Sequence, residues 1–141
     1  MKKKQIVLWL LLFTALGAAE EGRGQILTFE FSALKGDEAT ANSNSNHANL
    51  SSSTISRGAG LTASENGGRF NATSWALTSI ANALSGNDYM EFTITPVDGY
   101  QFSVSSVVVQ WKRSATGNTA IALRSSVDNY ASDIDGVKNV V

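Results

Sequence analysis

The sequence predicts an all-β chain: an antiparallel β-sandwich, jelly-roll-like and incomplete at its C-terminus. Three observations carry that expectation. Apolar and polar residues alternate in several short runs, most strictly over residues 89–95. Clusters of Gly, Asn and Asp punctuate those runs at short intervals. Beyond the N-terminus, no stretch sustains a long helical period.

The first segment stands outside that fold. Lys2, Lys3 and Lys4 precede an apolar run over residues 6–16, broken only by Thr14. Gly17, Ala18 and Ala19 then lead into Glu20 and Glu21. A basic start, a short apolar stretch and small residues form the layout of a secretory signal peptide, with cleavage expected between Ala19 and Glu20. A spanning helix needs roughly 20 apolar residues, so this run of eleven reads as an address that meets the membrane only in transit. The expected division is residues 1–19 as signal peptide and 20–141 as one β-domain.

Removing that address changes the charge. The 141-residue chain is formally −1, but without its three N-terminal lysines 8 basic side chains face 12 acidic ones, near −4. An acidic chain is a poor match for phosphate backbones, so nucleic acid is excluded as the main partner. The sequence contains no Cys. That excludes a disulfide framework, a thiolate nucleophile, a Cys-based zinc site and lipidation on cysteine. About 120 residues can still supply a core without such staples.

Taken in order, residues 25–31 read as a half-buried strand, with Leu27, Phe29 and Phe31 alternating against Thr28 and Glu30. Residues 39–53 lose nearly all large apolar content, and the Asn/Ser tract ending in His47 predicts a long exposed loop. A short strand is expected over 50–55. The run Arg57, Gly58, Ala59, Gly60 and the run Glu65, Asn66, Gly67, Gly68 read as turns. Residues 70–84, with Trp75, Leu77 and Ile80, suit a loop with a short helical turn or strand.

The second half is more regular. Met90, Phe92 and Ile94 share one face of a strand that Pro96 ends. Strands are expected over 100–104 and 107–112, with Val107, Val109 and Trp111 on one face. The apolar parity shifts at Ser105 and Ser106, which predicts a bulge or short turn there. Thr116, Gly117 and Asn118 make a hairpin-type turn into a strand over 120–125, and Asp128, Asn129 and Tyr130 turn again. No closing strand pair is evident after that, so the chain is expected to be a fragment whose sheet would end on an open edge.

Candidate chemistry is sparse. His47 is the only histidine and sits in a loop poorly suited to hold an imidazole for nucleophilic catalysis. Glu30 and Glu91 are candidates for a glycosidase carboxylate pair, but both fall on the polar side of their strands. Asp128, Asp133 and Asp135 supply the hard oxygens that calcium prefers, without the spacing of an EF-hand. Arg113 and Arg124 are candidate grips for an anionic glycan, against the plainer reading of Arg124 bracing a loop through Asp128, four residues on. Trp75, Tyr89, Trp111, Tyr100 and Tyr130 offer stacking surfaces for sugars. Parity assigns Trp111 to the core, and Tyr89 is the better surface candidate.

Two stretches carry a family resemblance. One is Asn87, Asp88, Tyr89, Met90, Glu91, Phe92, Thr93, Ile94, Thr95, Pro96 with Gly99 and Tyr100. The other runs from Gln110 and Trp111 through Thr116, Gly117 and Asn118 to Leu123, Arg124, Ser125, Ser126, Val127 and Asp128. With Phe29, Glu30, Phe31 and residues 57–61, they resemble secreted β-sandwich domains of bacterial surface proteins of the PEP-CTERM sorting class. The resemblance implies a β-sandwich and a surface or matrix location, and it carries no catalytic residue across. Such proteins continue into further strands and end in a Pro-Glu-Pro motif, an apolar helix and a basic tail, none of which follows Val137 here. The expected function is a non-enzymatic, exported module in adhesion or scaffolding, with no cofactor. Calcium is the one candidate ion, against the plainer reading of residues 133–136 as an Asp/Gly turn. The alternative is a carbohydrate-binding module, and the expected partners are extracellular glycans or matrix components.

Overall fold

The computed structural model describes residues 24–76 and 78–139. The predicted signal peptide with its Ala19–Glu20 junction, Leu77, Val140 and Val141 lie outside the described residues. The described chain is mostly short strands with one short helix, arranged in several antiparallel sheets. That is the all-β class the alternation predicts.

The central sheet is three-stranded. Strands β2 (Thr40–Asn42), β4 (Thr54–Arg57) and β7 (Met90–Phe92) lie in the order β2-β4-β7. Ile55 sits opposite Ala41 on one side and Phe92 on the other. The pairing continues past the strand ends: the Ser51 amide donates to the Thr95 carbonyl (2.9 Å), and the Val97 amide to the Asn49 carbonyl (2.9 Å). Pro96, which has no amide hydrogen, forms an isolated bridge with Leu50. Beside this sheet, β1 (Leu27–Thr28) pairs with β3 (Ser45–Asn46), and β5 (Thr62–Ala63) pairs with β6 (Ala72–Thr73).

The core is small. Ala41, Leu50, Leu61 and Phe70 are its buried apolar residues among those described. Aromatic rings extend it. Phe29 meets Phe92 edge-on at 5.4 Å, stacks on Phe31 at 6.2 Å, and Phe31 lies 5.9 Å from Phe70. The alternation in residues 25–31 therefore half-buries one face, although only Leu27 and Thr28 form ladder pairs.

Residues 39–53 correct the expectation of a long exposed loop. They hold β2 and β3, because their short polar side chains supply hydrogen bonds in place of apolar burial. Asn44 Oδ1 accepts from the Glu30 amide, Ser43 Oγ from the Ser53 amide (3.0 Å), and Asn42 Oδ1 from the Thr54 hydroxyl (3.0 Å). Ser53 is only 3% exposed and donates its hydroxyl to the Thr93 carbonyl at 2.7 Å. A polar tract can thus be ordered by side-chain hydrogen bonds, although Asn46 Oδ1 is buried there without a partner.

The ambiguous stretch before residue 88 resolves as helix α1 (Ile80–Gly86). Ser79 caps it, its side chain accepting from the Asn82 amide (3.1 Å), and Asn87 ends it in the left-handed conformation at φ 59.

Three further expectations are corrected in the last third. Residues 100–104 and 107–112 form neither strand nor helix. The Thr116–Asn118 region does turn, with the Gly117 amide donating to the Ser114 carbonyl (3.0 Å), but it joins no hairpin. Instead β8 (Ala120–Leu123) pairs with β9 (Ile134–Asn139), a closing strand the sequence reading did not anticipate. Asp135 and Gly136, both at positive φ, lie where the β8–β9 register shifts. Among the described residues no strand pairs with the 107–112 stretch, and an unpaired strand is not stable alone.

Candidate functional site

Two arginine-centred clusters and one apolar stretch are the places where chemistry concentrates. The first cluster was not anticipated. Arg57 ends β4 on the same side as Ile55 and the buried Ser53, so its guanidinium points inward. Its Nε donates to the Asn71 carbonyl (2.8 Å), Nη1 to the Glu38 carbonyl (2.5 Å) and Nη2 to the Gly36 carbonyl (2.8 Å). Its Cζ also lies 3.7 Å from the Phe70 ring centroid. Burial pushes the guanidinium pKa down from its ordinary range, while the charge of Glu38 opposes that shift. One planar fork thus ties three backbone segments together.

Glu38 completes this corner. Its carboxylate accepts from the Lys35 amide (2.7 Å) and the Gly36 amide (2.9 Å). Backbone amides, its own first, hold its pKa below the ordinary glutamate range. Gly36 has φ 107, and a Cβ there would lie 2.6 Å from the Asn66 carbonyl oxygen, so only glycine fits the crossing. The sequence marks this cluster weakly, since Arg57 stands directly before a Gly-rich turn.

The second cluster gathers the predicted residues of the C-terminal loop. After β8, Ser125 caps a 3-10 turn (Ser126–Asp128), and Asn129 and Tyr130 both adopt positive φ. Arg124 Nε donates to Asp133 Oδ1 at 2.6 Å, and its Nη1 to the Tyr130 carbonyl at 3.0 Å. Arg124 therefore braces this loop through Asp133, not Asp128.

Asp128 folds back on its own turn. It accepts from the amides of Ala131 (3.3 Å) and Ser132 (3.1 Å) and from the Ser132 hydroxyl. The Ser132 hydroxyl is the main cause holding its pKa below the ordinary aspartate range. Asp135 pairs with Lys138 Nζ at 2.7 Å, and that hydrogen bond lowers its pKa as well. The three calcium candidates thus each engage a different donor. Among the described residues, no group of three His, Cys, Asp or Glu side chains converges as a metal site would.

The remaining candidates are scattered. His47 is exposed, and its Nδ1 accepts from the Asn49 amide (3.2 Å). Glu30, two residues past β1, and Glu91 in β7 are both exposed, and their neighbours Phe29 and Phe92 pack together. Tyr89 is half-buried against Gly58, and its hydroxyl reaches Asn87 Oδ1 at 3.5 Å. Arg113 donates to the carbonyls of Ser114 and Ala115 (3.2 Å each), fastening the turn that follows. Trp111 meets Trp75 edge-on at 5.1 Å and is half-buried, with its Nε1 buried and unpartnered. Asn118 donates to the Ala76 carbonyl (3.0 Å) beside that pair. Tyr100 and Tyr130 are the exposed tyrosines.

The apolar stretch is the third feature. Val97, Tyr100, Phe102, Val104, Val107, Val108 and Val109 are all exposed, Val108 at 88%. Among the described residues, none helix is long and apolar enough to cross a membrane. Compared with protein-family models, curated proteins and solved structures, the chain matches none of them.

Proposed function

We propose that the chain is a non-enzymatic, exported β-sandwich module of jelly-roll type, acting in adhesion or as scaffold at a bacterial cell surface or in its matrix. The observation that carries this reading is where the charged groups go. Arg57, Glu38, Arg124, Asp128 and Asp133 are engaged with local backbone and side-chain partners that order turns. Groups committed to bracing are poorly placed to move protons or bind a transition state, which need a poised, convergent set. The all-β build, the layout of residues 1–21 and the PEP-CTERM-like stretches support the surface assignment. Expression of the full coding sequence in a bacterium, followed by fractionation, tests it. The protein is expected outside the cytoplasm, shortened by cleavage after Ala19, and inert toward glycan and ester substrates. Turnover at enzymic rates, or an uncleaved cytoplasmic product, would overturn the proposal.

A second reading, a carbohydrate-binding module, has its own support in Tyr100 and Tyr130, which are 51% and 48% exposed. Rings of that exposure offer faces on which sugars stack. A glycan array probed with and without added calcium separates the two readings. Silence in both conditions removes the second.

A further inference from the structure

We propose that residues 100–111 form an interface between two copies of this chain, pairing antiparallel with themselves about Ser105 and Ser106. Residues 100–110 are exposed and rich in valine, Trp111 at the end of the stretch is half-buried against Trp75, and the whole lies outside every strand. Among the described residues, no backbone-to-backbone hydrogen bond reaches residues 101–112. Unmet amides and carbonyls beside an apolar face form a template for another strand.

The sequence of the stretch says which strand. Read from its two ends toward the middle, it is nearly a palindrome of residue types: Tyr100 against Trp111, Gln101 against Gln110, Phe102 against Val109, Val104 against Val107, and Ser105 against Ser106. Ser103 against Val108 is the one mismatched pair. A two-fold axis between antiparallel strands keeps each residue on its own face of the sheet. Even positions then oppose odd ones only if the alternation slips by one residue. The parity shift at Ser105 and Ser106 is that slip, and it places Tyr100, Phe102, Val104, Val107, Val109 and Trp111 together on one face.

Charge agrees with the same register. Just beyond the paired stretch, Lys112 of one copy comes beside the turn at Asp98 and Gly99 of the other, so the basic end of each strand meets the acidic end of its mate. A two-fold contact applies this complementarity twice. A parallel arrangement would instead set like charges side by side. Pairing would also cover the valines and Phe102 and give the backbone its ladder partners, which are the two deficits of the isolated chain.

The test uses protein expressed from its full coding sequence and purified as the host processes it. Sedimentation equilibrium is expected to give twice the chain mass at high concentration, and V107K, with a lysine opposite Val104 twice over, to give single chains with an unchanged circular dichroism spectrum and urea midpoint. The absence of native cysteine makes cross-linking clean. When F102C and V109C chains are co-expressed and oxidised, they are expected to join as a mixed disulfide dimer. Either variant alone should stay uncross-linked, because in this register its two cysteines lie roughly 20 Å apart. A single-chain mass at every concentration, assembly beyond two copies, or cross-linking of F102C to itself as readily as to V109C would each overturn the proposal.

Discussion

Residues 89–95 and 107–112 have nearly the same sequence pattern and opposite fates. Both set apolar side chains at every second position, 107–112 with Val108 apolar on its other face as well, and both sit among turn residues. The first supplies β7, paired with β4 along Ile55, Ser56 and Arg57, and its alignment continues through Thr95 to Val97. The second lies in no strand and leaves Val107, Val108 and Val109 exposed. Alternation states that a segment can bury one face. It does not state against what. The difference lies in the partner: β4 brings a registered edge to β7, whereas among the described residues no strand lies in register with 107–112.

Amide hydrogen exchange is the broadest way to break this contrast. In dilute solution, where chains are single, amides of β4 and β7 are expected to exchange at least ~100-fold more slowly than those of residues 102–109. Equal protection in the two stretches would mean that 107–112 has a ladder partner within its own chain.

The paired region is also where a single side chain should matter most. R57A removes three hydrogen bonds to carbonyls and the contact with Phe70, leaving the Gly36, Glu38 and Asn71 carbonyls short of a donor. A loss of about 2–4 kcal/mol in urea unfolding, with the slope unchanged, is expected. R57K should recover less than half, since an ammonium cannot present the planar fork. A loss under about 0.5 kcal/mol would show that the three segments hold together without the clamp.

How much of this was legible beforehand depended on whether the deciding interaction was local. The strand β7 within residues 89–95 and the turn at Asn129 follow from alternation and from a side chain that tolerates positive φ, whereas Pro96 does not end the pairing, which runs on to Val97. The order in residues 39–53 did not, because it depends on Asn44 reaching the Glu30 amide and Ser53 reaching Thr93, contacts between distant parts of the chain. The Arg124 brace was legible in kind and misplaced in partner. Spacing favoured Asp128, but that carboxylate is drawn back to the Ser132 and Ala131 amides, while Asp133 at the mouth of β9 meets the guanidinium. Arg57 was overlooked because it stands directly before a Gly-rich turn, and only the β4 register shows that it faces inward.

Glycines sharpen the contrast at smaller amplitude. A Cβ on Gly58 would run into the Asn87 carbonyl and come within 3.2 Å of the Tyr89 ring, and one on Gly60 would strike the Gly86 carbonyl and the Asp88 carboxylate. G58A and G60A are therefore expected to lose about 1–3 kcal/mol each, measured by urea midpoint. Gly67, whose nearest atom would be the Leu34 carbonyl oxygen at 3.9 Å, is the control, and G67A should change stability by less than about 0.5 kcal/mol. If all three behave alike, the close crossing of residues 58–60 with 86–89 is not what fixes β4 against β7.

The smallest expected effect is one of pH, and it acts at the Arg57 corner and in the C-terminal loop. Glu38, through amide hydrogen bonds, and Asp128, through Ser132, have folded-state pKa values below their ordinary ranges. A depressed carboxylate binds its proton less readily folded than unfolded. Its contribution is therefore fully present above the unfolded value and fades as the pH falls through the folded one. The urea midpoint should stay level from neutral pH down to about 5 on this account, then decline below the ordinary carboxylate range. E38Q and D128N should each begin slightly lower at neutral pH and decline less steeply, because each has already lost the group that titrates. Both carboxylates are solvent-exposed, so the change in slope is modest and needs the double variant to be read with confidence against experimental scatter. An acid limb identical in the double variant would assign the pH dependence to other carboxylates, and the two turns would then be held by their backbones alone.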